Sequence, residues 1–252
     1  STEELGFVDA SFKNARLDNN ASSFTSVLHA SPRRSGLTLV SEFYWIPWAT
    51  RSFFGPRFDI ERFSEGSYEL NTVSGGADIG RNWDALGFRF SGRWGPTINY
   101  SKRVRGIGPE EVFYPTIDAS FMATSHAYEA SVRNQFEGLN IQFFYRGQTK
   151  GLGSTVDVNR YRLDLKSLWN IEGFSPPLLI FGVRIEGIVV DADEITTANR
   201  DTLPVADRIY LGGDQNLSGF GRQSINNNNL GYLTSLYAGF ELRLIAELPY
   251  HL

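Results

Sequence analysis

Three histidines, His29, His126 and His251, carry most of the catalytic potential of this cysteine-free chain. Ser125-His126 is the pair whose types suit nucleophilic hydrolysis, in which an imidazole takes the hydroxyl proton. No Gly-x-Ser-x-Gly elbow accompanies it, and the histidines sit in unrelated strand or terminal contexts. His126 reads better as a barrel-wall or bulge residue, so the chain is expected not to be an enzyme. Asp191, Asp193 and Glu194 form an acidic group of the kind that can hold calcium. A solvated loop rim explains them more simply, and no metal or cofactor is expected. Lys102, Arg103 and Arg105 could meet anionic lipopolysaccharide or form an ordinary charged loop. A net charge of −4 argues against a dedicated nucleic-acid partner.

The elements that position these groups read as strands. Leu86, Phe88, Phe90, Gly92 and Trp94 alternate with Gly87, Arg89, Ser91 and Arg93. The same pattern recurs four more times. Tyr161, Leu163, Leu165 and Trp169 interleave with Arg160, Arg162, Asp164 and Lys166. Leu179, Phe181, Val183, Ile185 and Val189 interleave with positions that include Arg184 and Glu186. Leu236, Ala238, Phe240, Leu242 and Leu244 interleave with Tyr237, Gly239, Glu241 and Arg243. Leu139, Ile141, Phe143 and Tyr145 continue the set.

Alternation also fits a soluble sandwich, but two features favour a membrane-spanning barrel. The polar face mixes arginine with carboxylates, as a wet lumen would: Arg89, Arg162, Asp164, Arg184, Glu186, Glu241 and Arg243 are its expected charges. The apolar face carries Trp94, Tyr145 and Trp169, suited to an aromatic girdle at lipid headgroups. The strands run to about nine residues or more, enough to cross a bilayer when tilted. The longest apolar run, Pro176 to Val183, is too short for a membrane helix of about 20 residues.

The expected fold is therefore all-β, a transmembrane antiparallel β-barrel of the bacterial outer membrane, spanning 1–252 as one domain of ten strands. Short turns are expected at Ser31 to Gly36, Asn82 to Ala85, Asn134 to Gly138 and Glu172 to Pro177. Longer outer loops are expected at Asn14 to Ser22, Pro47 to Gly66, Ser101 to Val112 and Ala192 to Leu230, with Thr149 to Ser154 a short link where an outer loop belongs. The apolar set shifts from odd to even positions between Ile117 and Arg133, which implies a bulge near His126. The first strand is expected near Leu5, rising from the periplasmic side. No leader remains at the start, so any signal peptide is expected to have been removed.

The longest loop contains Tyr210-Leu211-Gly212-Gly213 and, a few residues on, Ser218-Gly219-Phe220-Gly221-Arg222. Here the sequence resembles the outer-membrane insertase and translocator superfamily, whose sixth extracellular loop carries an aromatic-x-Gly-Gly stretch and then Arg-Gly-Phe or Arg-Gly-Tyr. The matching residues are Tyr210, Gly212, Gly213, Gly219 and Phe220, and Phe240-Glu241-Leu242-Arg243 matches the run in the strand that follows. Ser218 stands where the family has arginine, and Arg222 is the candidate replacement. The resemblance implies that residues 192–230 fold into the lumen, and that the chain serves outer-membrane biogenesis or protein or lipid translocation. It also implies a minimal member without periplasmic domains, with C-terminal strands either absent from the sequence or dispensed with. Implied partners are membrane lipid, lipopolysaccharide, a protein client and a second copy paired through an open seam. The alternatives are a porin-like or structural barrel and, more weakly, a lipid hydrolase.

Overall fold

A computed structural model of the protein describes residues 8–44, 51–130, 137–171, 179–192, 195, 199–212 and 223–244. Among the described residues, eleven strands form one antiparallel sheet in sequence order. They are β1 Val8–Asn14, β2 Ser23–Ala30, β3 Arg34–Glu42, β4 Ser52–Ser64, β5 Glu69–Ala85 and β6 Phe88–Arg105, then β7 Glu111–Ser125, β8 Gly138–Gln148, β9 Val158–Asn170, β10 Leu179–Ala192 and β11 Thr234–Leu244. Every strand pairs with its chain neighbour, the meander expected of an up-and-down barrel.

Two faces follow from the register. Phe88, Leu163, Phe181 and Leu242 lie on the outer face, Leu163 and Leu242 exposed and the two phenylalanines half-buried. The other face is concave, because its side chains reach over intervening strands: Arg57 of β4 meets Asp118 of β7 at 2.8 Å, and Arg93 of β6 meets Glu42 of β3 at 3.1 Å. Outer-face rings stack in two groups, Trp83 with Phe90 at 5.3 Å and Trp169 with Phe181 at 5.7 Å, both near the same end. Tyr145 and Tyr161, 5.3 Å apart, sit toward the opposite end. The aromatic belts expected from the sequence thus lie at both ends of the outer face, although Trp94 falls well inside β6.

The strand count differs from the sequence expectation, and the reason is local. Pro47 to Gly66 was expected to be a loop, yet β4 fills most of it. Phe54, Pro56, Phe58 and Ile60 take the outer face while Arg57, Asp59 and Glu61 turn inward. The proline is tolerated at an outward position on a strand whose neighbours still hold it. The extra strand inverts the parity of everything before it. The turn at 31–33 therefore shares an end with the connections at 65–68, 106–110, 149–157 and 193–233, and β1 runs away from that end, not toward it. Long and short connections consequently do not segregate by end. The end carrying 193–233 is called the upper end below.

Three boundaries shift as well. The tight turn after β5 is Leu86-Gly87, both residues left-handed, as a two-residue hairpin of matching twist requires. Among the described residues no bulge occurs near His126: β7 keeps one register through Ser125 and the chain then leaves the sheet in a short helix, His126–Ala130. Lys102, Arg103 and Arg105 belong to β6 and not to a loop.

Gly80 shows why small residues punctuate the inner wall. A methyl group there would fall within the ring of Phe53, which is fully buried on the adjoining strand.

Candidate functional site: a loop seated on the inner wall

At the upper end the inner face of β9 and β10 breaks its own polar pattern. Val158, Ile188 and Val190 point inward, where water would make them costly, but Leu203 and Ile209 of the 193–233 connection cover them. All five are buried, and Leu211, Tyr232 and Leu233 pack around them. Full burial of one such side chain stabilises by about 1.5–3 kcal/mol, so this satellite core alone can hold the connection against the wall.

Polar contacts then fix its position. The backbone amide of Ile209 donates to Tyr232 and that of Leu211 to Ile225, so the two arms of the connection pair with each other. Arg208 is buried, and its guanidinium donates to the carbonyls of Asp201, Leu203 and Ile107, the last in the turn between β6 and β7. Asn226 donates to Ser67 Oγ at 3.0 Å, in the turn between β4 and β5. Asn227, Asn228 and Asn229 all adopt left-handed backbone, which asparagine accepts more readily than other non-glycine residues. Asp207 has no solvent exposure and accepts from Gln148 Nε2 of β8 at 2.6 Å. Burial pushes its carboxyl above the ordinary range, against the lowering charges of Arg146 and Arg160.

Below this seat the inner wall is an alternating charge lattice. Asp118 joins Arg57 at 2.8 Å and Arg146 at 3.0 Å; Arg57 also lies 3.3 Å from Asp78. On β9 and β10, Arg162 meets Asp164 at 2.7 Å and Glu186 at 3.3 Å, and Arg184 meets Glu186 at 2.9 Å. Such pairing answers the cost of placing carboxylates on a shielded wall. A cavity of ≈ 480 Å³ opens along the inner wall from β4 to β9.

The sequence-derived residues distribute as follows. Arg89, Arg162, Asp164, Arg184, Glu186, Glu241 and Arg243 all lie on the inner face. Arg89 sits at the lower end, 3.4 Å from Asp84, and Arg243 pairs with Glu241 on its own strand. Tyr210 packs against Tyr68 with ring centroids 5.2 Å apart, joining the loop to the β4–β5 turn. Gly212 has φ +110°, a backbone region open to glycine. Gly213, Gly219, Phe220 and Arg222 lie outside the described residues.

Other expected sites dissolve into local structure. Ser125 Oγ accepts from the amides of Tyr128 and Leu139, while His126 turns to Asp84 at 3.6 Å; among the described residues no Ser–His hydrogen bond joins the pair. Asp191 lies at the end of β10, and Asp193 and Glu194 are outside the described residues. Arg103 holds the carbonyls of Gly106 and Gly108, Arg105 that of Glu65, and Lys102 pairs with Glu111 at 2.8 Å. Sequence reading missed Asp207, Arg208, Leu203 and the wall residue Gln148. The available signal was Ile188-Val189-Val190, a run of apolar residues that interrupts the alternation of β10.

Fold and seat together define an antiparallel β-barrel whose longest connection lies against its own inner wall. The chain matches no known family profile and no curated protein sequence. Among solved structures it resembles the crystal structure of BamA from Haemophilus ducreyi lacking POTRA domains 1–3, with a TM-score of 0.73 at 12% identity. The likeness covers 98% of this chain and 52% of that one, so the chain spans about half the length of that structure. It establishes a BamA-like antiparallel β-barrel fold.

Proposed function

We propose that the chain is the barrel wall of a bacterial outer-membrane protein of the insertase and translocator type, acting in the insertion or passage of protein or lipid. The observation that supports this most is the seat of the 193–233 connection on the inner face of β9 and β10, in a barrel of BamA-like fold. A seated loop obstructs the lumen and braces the wall, which suits a barrel that works at its surface and edge more than an open pore. The outer face would contact lipid through its exposed aliphatic and aromatic side chains. A protein client and lipopolysaccharide are the partners this role calls for, with pairing to a second copy as a further route for an exposed strand edge. No chemistry on a substrate is assigned to the chain.

The test is reconstitution in liposomes with a urea-unfolded outer-membrane barrel as client. Folding of the client several-fold faster than in empty liposomes, with little ion conductance, supports the proposal. A steady conductance without acceleration would favour the porin-like reading, to which the charged inner wall is also suited.

A further inference from the structure

The inner-wall cavity differs from the rest of the charge lattice in composition. Arg57, Arg93, Arg146, Arg160 and Arg162 line it, against the carboxylates of Asp78 and Asp118. A guanidinium is all donor and no acceptor, so five of them around one space leave N–H groups without protein acceptors. Arg146 reaches Asp118 through Nε, and Arg93 reaches Glu42 through one terminal nitrogen. Arg160 donates to the Ala206 carbonyl and, among the described residues, has no carboxylate within ion-pair distance. Arg57 Nε is buried without a partner.

Beside these cations stands Phe144, an aromatic ring on the polar face. In the register it lies between Ser120 and Arg162, and 41% of it is exposed. Among the described residues, none from the 193–233 connection lines this cavity, unlike the apolar seat above. A bare ring next to unfilled donors is the arrangement that receives a molecule with one anionic end and one ring-shaped, weakly polar end.

We propose that this cavity binds a soluble organic phosphate of sugar-phosphate size, its phosphate on the arginines and its sugar ring over Phe144. Planar guanidiniums match phosphate oxygens in pairs, which favours phosphate over halide or a single carboxylate. A volume of ≈ 480 Å³ admits such a ligand and lies within the usual range for small-molecule sites. The cavity opens on the concave side, so the ligand arrives from water and not from the lipid that meets the outer face. The inference is independent of the insertion role: a barrel that inserts clients but binds no phosphate, or the reverse, separates the two.

Calorimetry on the full chain in detergent micelles tests it with glucose 6-phosphate, inorganic phosphate and glucose. Glucose 6-phosphate is expected to bind with a dissociation constant on the order of 100 µM, inorganic phosphate about tenfold more weakly, and glucose not at all. Phe144→Ala should remove the advantage of glucose 6-phosphate while leaving inorganic phosphate within about twofold of the parent. Arg160→Gln should weaken both phosphates about tenfold or more. Phe144 is exposed, so its variant keeps the strands and remains informative even where Arg160→Gln disturbs folding. Glucose binding as well as its phosphate, no heat with either phosphate, or parental affinity in Phe144→Ala would each overturn the proposal.

Discussion

Gln148 on the inner wall donates its side-chain amide to Oδ2 of Asp207 in the long upper connection at 2.6 Å, with both residues buried. The contact joins elements 59 residues apart in sequence and puts an acid where water cannot solvate it. Its other oxygen, Oδ1, has no hydrogen-bond partner.

That burial gives the seat a pH dependence of known sign. Because the folded state raises the Asp207 carboxyl above its ordinary value of 3.8, folding favours the protonated form. The contribution is fully present below 3.8 and is lost as pH rises from there through the raised value. Asp18 and Asp157 act in the opposite sense, since hydrogen bonds lower them, so the informative quantity is a difference. The midpoint of thermal unfolding of the parent minus that of Asp207→Asn should fall as pH increases across the window above 3.8, then level off. A difference that does not vary with pH would show that Asp207 ionises as freely in the folded protein as in the unfolded chain.

The apolar seat predicts a larger and pH-independent effect. Leu203 has no exposure and fills the space over Val158, Ile188 and Val190, so Leu203→Ala should cost about 2–5 kcal/mol of the seat's stability. Limited proteolysis within 193–233 should accelerate accordingly, while the strands stay protected. Unchanged cleavage would mean that the polar contacts alone hold the connection.

Sequence periodicity exposed most of the wall, because over much of it outward aliphatic or aromatic residues alternate with inward polar or charged ones. Leu163 beside Arg162 and Leu242 beside Arg243 are clear cases. It failed at β4, where Pro56 and the dense charges of Arg57, Asp59, Glu61 and Arg62 outweighed the outward series Phe54, Phe58 and Ile60. One missed strand then reversed the assignment of ends for the first part of the chain. The site was legible in kind and not in detail. Tyr210 and Gly212 lie in the connection the motif pointed to. Asp207 and Arg208 make long-range contacts with β8 and the β6–β7 turn, and no local pattern announces a partner about 59 or 101 positions away.

The register itself can be checked from water. Arg162 faces the inner wall and Leu163 the outer face, so a cysteine at 162 should react with a membrane-impermeant maleimide in liposomes and one at 163 should not. Leu163→Arg should destabilise by about 2–4 kcal/mol if it lies near the bilayer midplane. Labelling at 163 with protection at 162 would reverse the assignment of faces.

The last prediction joins the loop's geometry to the passage of ions. Gly212 sits at φ +110° where the paired arms 209–212 and 223–232 lead to the motif tip. A β-branched side chain in such backbone is strained by about 1 kcal/mol or more, so Gly212→Val should weaken the pairing of Leu211 with Ile225. Arg208→Ala should act more strongly, because three carbonyls, those of Asp201, Leu203 and Ile107, lose a buried charged donor together. Deletion of 208–222 removes Ile209 and Leu211 from the cover of the inner wall together with every Arg208 contact. Conductance in planar bilayers should rise in that order, parent lowest and deletion highest, with β-sheet circular dichroism unchanged. If all four conduct alike, the connection does not obstruct the lumen, and the bracing role proposed for it fails.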